Sequence, residues 1–243
     1  MPSPPGWQNH VVSRFVVEPS AVDPERVAAE GQCVFVAFSP QNGSERLEQS
    51  LLRLAPGHHR RQLNRRHQEV LYVASGSGTF VLDGREHVLE PDAGVLALPG
   101  EAYEIEAEEE LELVSVLAPA DGEIERRRVV SRFAECEEGR ADENRTFRVL
   151  HDGELTQFVG LVEPCRAPDH SHPYDEVGYI VEGQGLAHVG GESVPIGPGT
   201  CFHHPPPEVH CIENTGPDVM RIMGVFHPAG SPRQRSYDAA AGD

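Results

Sequence analysis

Residues 176–214, EVGYIVEGQGLAHVGGESVPIGPGTCFHHPPPEVHCIEN, line up with residues 69–107, EVLYVASGSGTFVLDGREHVLEPDAGVLALPGEAYEIEA, without a gap at an offset of 107. Glu69 aligns with Glu176, Val70 with Val177, Tyr72 with Tyr179, and Gly76 and Gly78 with Gly183 and Gly185. Gly84, Pro91 and Pro99 align with Gly191, Pro198 and Pro206. Turn residues that keep their places over such a stretch mark a duplicated unit. A second repeat, Val11-Val12-Ser13-Arg14-Phe15 and Val129-Val130-Ser131-Arg132-Phe133, precedes each copy, but is short enough alone to arise by chance. The chain therefore reads as two homologous halves, 1–120 and 121–230, and a small polar tail, 231–243, expected to be flexible.

Short apolar or alternating runs, divided by Gly, Pro and Asp, predict strands in both halves. In the first they cover Cys33–Phe38, Glu48–Leu54, Val70–Ala74, Thr79–Leu82, Gly94–Leu98 and Leu111–Leu117. In the second they cover Gln157–Leu161, Val177–Val181, Gly185–Val189, Thr200–His203, His210–Glu213 and Val219–Phe226. Helical patterning is confined to a turn or two near Asp23–Glu30. The charged segment Ala120–Asn144 reads as the connection between halves plus the first strand of the second. Regularly spaced short strands predict an all-β chain of sandwich or closed-barrel type.

With 243 residues, 24 Gly, 21 Pro and 38% hydrophobic residues, the chain can bury a core through many short strands. All 20 basic residues are Arg, which excludes a Schiff-base lysine, a pyridoxal phosphate anchor and a P-loop lysine. A formal charge of -19 repels nucleic acid and anionic membranes, so neither is expected as a partner. Met1–His10 lacks the basic start and apolar core of a signal peptide, and no run is long enough to span a bilayer. Cys33, Cys136, Cys165, Cys201 and Cys211 are odd in number and form no CxxC pair. They are expected as free thiols, with a cytoplasmic location.

The chemistry concentrates in the second half. His170 and His172 stand two apart, so a strand turns both to one side. Glu176 opens the next apolar run, and His210 returns beyond the turn Pro205-Pro206-Pro207. Three imidazoles and a carboxylate suit a mononuclear first-row metal with positions left for a ligand.

These residues resemble the two motifs of the cupin superfamily. His170-x-His172-x3-Glu176-x6-Gly183 is similar to the first. Pro205-x-Pro207-x2-His210-x3-Asn214 is similar to the second, with Pro207 where the family usually has Gly; Pro164 stands where a leading Gly is common. The resemblance implies a bicupin: two tandem jelly-roll β-barrels, or double-stranded β-helices, in a homodimer. It implies one divalent transition metal per chain (Fe, Mn, Ni, Cu or Zn) bound by His170, His172, Glu176 and His210 of the C-terminal barrel. In the first half, Leu63, Arg65 and Tyr103 stand at the three histidine positions and only Glu69 survives. That barrel is expected to have lost its metal, although His58, His59 and His67 lie near enough in sequence to rebuild a site. The run Arg60-Arg61 to Arg65-Arg66 reads as a solvated loop that could also meet an anionic substrate.

Around the predicted site, Arg166 is a candidate carboxylate clamp and Glu208 a candidate catalytic carboxylate. His204, beside His203 at the proline turn, is a candidate acid or base. Asn214 is expected to support its strand. Strand parity puts Ile180, Met220, Ile222 and Phe226 inside the barrel, and Tyr179 and Arg221 outside. The expected activity is that of a metal-dependent enzyme acting on a small anionic or chelating substrate, a dioxygenase or decarboxylase first. A hydrolase, lyase or isomerase similar to the ureidoglycine aminohydrolases is an alternative, as is a non-catalytic small-molecule binding protein.

Overall fold

Alternation in the sequence becomes strands buried on both faces. The computed structural model describes residues 11–18, 31–41, 43–44, 46–120 and 128–234. The turn or two of helix expected near Asp23–Glu30 and residues 235–243 lie outside these. The first half contributes β1 (Val11–Ser13), β2 (Val16–Val17), β3 (Gln32–Phe38), β4 (Glu48–Leu54), β5 (Gly57–Gln62), β6 (His67–Ser75), β7 (Gly78–Leu82), β8 (Arg85–Leu89), β9 (Ala93–Ala97), β10 (Ala102–Ala107) and β11 (Leu111–Pro119). The second contributes β12 (Val130–Arg132), β13 (Glu138–Asp142), β14 (Arg145–Asp152), β15 (Thr156–Val162), β16 (Asp175–Glu182), β17 (Gly185–Val189), β18 (Glu192–Ile196), β19 (Cys201–His204), β20 (His210–Asn214) and β21 (Met220–His227). The helical content among the described residues is one 3-10 turn, Phe133–Glu135.

Every expected strand is present. β5, β8, β10, β14 and β18 are additional, because their apolar alternation is interrupted by charge: β5 reads GHHRRQ; the short β1 and β2 are additional too. Arg60 and Arg61 therefore sit on a paired strand and not on the solvated loop expected. The duplication is visible in the hairpins. Asp83-Gly84 (φ 50° and 72°) and Gly190-Gly191 (φ 58° and 79°), equivalent at the offset of 107, adopt the paired left-handed conformation that a two-residue hairpin turn requires.

Each half is a jelly roll made of one large and one small antiparallel sheet. The large sheets run β12-β9-β6-β11-β4-β3 and β1-β2-β19-β16-β21-β15-β14-β13; the small ones run β5-β10-β7-β8 and β18-β17-β20. The chain is all-β, two tandem jelly-roll barrels.

The short repeat does not take equivalent places: in the second copy it is itself the exchanged strand, whereas in the first Val11–Ser13 pairs with β2, which follows it and makes the exchange. Val16 and Val17 pair with Phe202 and Cys201 of β19, whereas Val130, Ser131 and Arg132 pair with Val95, Gly94 and Ala93 of β9. β9 and β19 are equivalent strands, so each half lends its leading segment to the other's sheet. Within Ala120–Asn144, β12 thus extends the first barrel's sheet, and β13, paired with β14, is the expected strand of the second. Phe15 and Val16 are 4% and 0% exposed and pack with Ile180, Val189 and Phe202 inside the second barrel.

The two large sheets also pack face to face. Val70, Tyr72 and Val116 of one meet Val177, Tyr179 and Val225 of the other in a single core. The alternate residues Leu71 and Val73 fill the first barrel; Ile180, Met220 and Ile222 fill the second. This interface holds reciprocal bonds: Gln49 Nε2 donates to the Gly178 carbonyl at 3.0 Å and Gln157 Nε2 to the Leu71 carbonyl at 3.1 Å. Tyr179 hydroxyl donates to Glu112 at 3.1 Å and Arg221 pairs with Asp92 at 2.6 Å, both across the interface and outside the second barrel.

Candidate metal centre

Pairing between strands brings His204 and His210 to the locally adjacent His172 and Glu176. His170 lies beside β20, exchanging backbone bonds with His210 at 3.0 and 2.9 Å. Glu176 on β16 is in register with His204 on β19 and Phe226 on β21. One carboxylate oxygen, Glu176 Oε2, consequently lies 2.9 Å from His172 Nε2, 3.1 Å from His204 Nδ1 and 3.6 Å from His210 Nε2. The His204 and His210 rings stack at 3.9 Å. His172, Glu176 and His210 each bring one ligand atom to within 4.8 Å of the others.

Backbone carbonyls set the rings. His172 Nδ1 faces the Tyr174 carbonyl at 2.8 Å, His210 Nδ1 that of Glu208 at 2.9 Å and His170 Nδ1 that of Pro168 at 3.0 Å. A carbonyl can only accept, so each Nδ1 carries hydrogen and Nε2 is left to ligate. The Nε2 atoms of His204 and His210 are buried with no hydrogen-bond partner among the described residues. Buried imidazole nitrogens around a buried carboxylate, with tautomers fixed for ligation, fit a divalent metal.

The charges say the same. Burial favours a neutral Glu176, yet hydrogen bonds from His172 and His204 outweigh it and hold the carboxyl well below its usual range. Burial likewise opposes charge on His172, but Glu176 prevails and raises that imidazole. Burial lowers His204, and burial with His204 alongside pushes His210 down to about 2. Without an ion, Glu176 favours the charged form of His172, while burial favours the neutral forms of His204 and His210.

The structure brings together His172, Glu176 and His210 of the four predicted ligands. His170 lines the same cleft with its ring 4.5 Å from that of His210, but its nitrogen stands outside the 4.8 Å group. His204 is central, bonded to Glu176 and 2% exposed. His203 points the opposite way, to Asp175 at 2.6 Å and the ring of Phe38. Arg166 and Glu208 do not line the cleft. Arg166 pairs with Asp169 at 2.7 Å on the surface, and Glu208 uses its backbone carbonyl to orient His210. The physical reason for Arg166 is its pairing with Glu213, which sits opposite Leu186 on the small sheet. Asn214 donates to the carbonyls of Val162 and Asp218 at 2.8 Å each, which ties down the end of its strand. Sequence reasoning missed Tyr174, Phe147 and Phe158, which share the cleft; only the pairing of β15 with β21 brings Phe158 to Phe226.

The equivalent position in the first barrel is filled from within. Glu69, fully buried, accepts bonds from Tyr103 at 2.7 Å and Ser115 at 2.5 Å and pairs with Arg61 at 3.0 Å. His58 turns to Glu106, His59 to Gln32 and Ala55, and His67 to Asn64, so none approaches Glu69. A tethered guanidinium meets the carboxylate where the second barrel gathers imidazoles.

Two family models match the chain. One, described as a cupin domain, covers residues 158–226; the other, an AraC-like ligand binding domain, covers residues 53–121. No curated protein sequence matches. Among solved structures, oxalate decarboxylase from Bacillus subtilis at pH 4.6 superposes with a TM-score of 0.69 at 17% identity, covering 89% of this chain and 77% of that one. A structure of the same enzyme, from work on its Mn(II) centres, gives a TM-score of 0.71 at 15% identity, with 89% and 78% covered. At such identities the likeness is one of fold.

Proposed function

The chain is a member of the cupin superfamily with two cupin-type domains, and from that premise we propose that it is a metal-dependent enzyme whose second barrel, within 121–230, holds one divalent ion. The observation that carries this reading is the convergence of His172, Glu176 and His210 on one buried point with ring tautomers fixed for ligation. His170 completes the set. The first half, 1–120, serves as the packing partner, its own position closed by Arg61.

When bound, such an ion supplies Lewis acidity toward a substrate oxygen and, for redox-active metals, dioxygen chemistry. The chain's own residues do the rest. Glu176 provides the one carboxylate in the centre and fixes the orientation of His204. His204 donates through Nδ1 to Glu176 and keeps Nε2 as a lone-pair base, poised to take or return a proton. Phe202, Phe226 and Tyr174 pack their rings against His204 and His172. Decarboxylation and dioxygen insertion into a small molecule both suit this arrangement, and the fold likeness to oxalate decarboxylase favours examining decarboxylation first.

The test is metal analysis of the purified full-length protein, followed by assays of carbon dioxide release and oxygen uptake. One equivalent of metal is expected, with His172→Ala losing both metal and turnover. A metal-free protein after loading, or turnover unaffected in that variant, would remove the reading.

A further inference from the structure

The cleft over His172, Glu176 and His210 is walled by rings. Phe158, Phe226 and Tyr174 are buried together, with centroids 4.7 Å (Phe158 to Phe226) and 4.6 Å (Tyr174 to Phe226) apart. Tyr174 stacks on His172 at 4.2 Å and 15°, and Phe202 lies 4.7 Å from His204. Two glycines admit these rings. A Cβ on Gly178 would sit 2.1 Å from the Phe202 ring, and one on Gly224 would sit 2.4 Å from the Phe158 ring. Gly178 pairs with Gly224, and the equivalent pair of the first barrel is Leu71 with Ser115. The aromatic wall is therefore built into the barrel that gathers the histidines and not into its sibling.

Charge in the cleft is sparse. Arg145 is the one guanidinium among its lining residues, and its Nε already donates to Asp142 at 2.8 Å. A divalent ion with Glu176 leaves one net positive charge, which a single anionic oxygen end satisfies. A small dicarboxylate, chelating through both ends, would bring a second negative charge into a cleft lined by Phe226 and Ile222 whose one guanidinium is already paired, at a desolvation cost. The cleft is about 100 Å³ and opens to solvent, so a body larger than two carboxylates reaches from the ringed wall toward its mouth.

We infer that the substrate carries a flat, apolar body of aryl size and one oxygen-bearing end that meets the metal, and is not a small dianion. This rests on the metal-site reading above. It narrows the anionic or chelating class expected from the sequence to its chelating, apolar-bodied members.

The test uses Co(II)-loaded full-length protein, titrated with 2,3-dihydroxynaphthalene, catechol and oxalate and followed by the Co(II) absorption bands. The fused second ring should tighten binding about ten-fold over catechol, from the apolar area it buries. Oxalate should bind more weakly than either. Phe158→Leu should keep its Co(II) while losing most of the ten-fold preference. Oxalate binding as tightly as the naphthalenediol, or a second ring that adds nothing, overturns the inference and leaves the metal reading standing. A protein that takes up no Co(II) overturns the metal reading, and the inference falls with it.

Discussion

Replacing Arg61 with Ala tests whether a guanidinium has taken over the first barrel's centre. Glu69 is fully buried, and its partners are Arg61 at 3.0 Å and two neutral hydroxyls, those of Tyr103 and Ser115. Removing one member of a buried ion pair costs about 3–5 kcal/mol, because the remaining charge is left without compensation. The Arg61 side chain is 34% exposed, so water replaces part of what is lost, and the cost falls to about 2–3 kcal/mol. For a chain of this size that is a drop of about 4–12 °C in Tm. Thermal unfolding followed by circular dichroism reads it directly. The double variant Arg61→Met with Glu69→Gln should recover most of the loss, since a neutral amide keeps the Tyr103 and Ser115 contacts without needing a cation. An unchanged Tm in Arg61→Ala, or a double variant as unstable as the single one, would refute the reasoning.

Other outcomes follow from the same geometry. Phe15→Ala should cost about 3 kcal/mol, although Phe15 belongs to the first half, because its ring sits in the second barrel's core; urea denaturation checks it, and residues 121–243 expressed alone should fail to fold. Gly178→Ala should cost about 1–3 kcal/mol, because Phe202 blocks the new methyl group. Arg166→Ala and Glu208→Ala should leave metal content and turnover within about two-fold of wild type, and His204→Ala should lower turnover by about a hundred-fold or more while retaining metal. Acid should strip the metal: protons compete for the imidazoles, and Glu176 holds His172 protonated to a higher pH than an ordinary imidazole. Competition with a chelating dye at about pH 8 and about pH 6 should show weaker binding at the lower value.

The duplication made the all-β, two-barrel architecture legible, since glycines and prolines fix turns that side-chain alternation then fills. Strand parity placed Ile180, Met220 and Ile222 inside the second barrel and Tyr179 outside it. What stayed hidden depends on pairings that sequence spacing does not encode. Val11–Val17 and Val129–Phe133 look like ordinary leading strands, and only the partners of β2 and β12 show that each half lends a strand to the other's sheet. His204 resembles its neighbour His203 in sequence, but parity on β19 sends one to Glu176 and the other to Asp175. Arg61 was indistinguishable from a solvated arginine until Tyr103, in register with it on β10, shared its carboxylate.

The most direct measurement is anomalous X-ray scattering from crystals of the metal-loaded protein. One strong peak should appear per chain, bonded to His172 Nε2, a Glu176 carboxylate oxygen and His210 Nε2, with His170 turned in to join them. A peak beside Glu69, or none at the three converged side chains, would contradict the account.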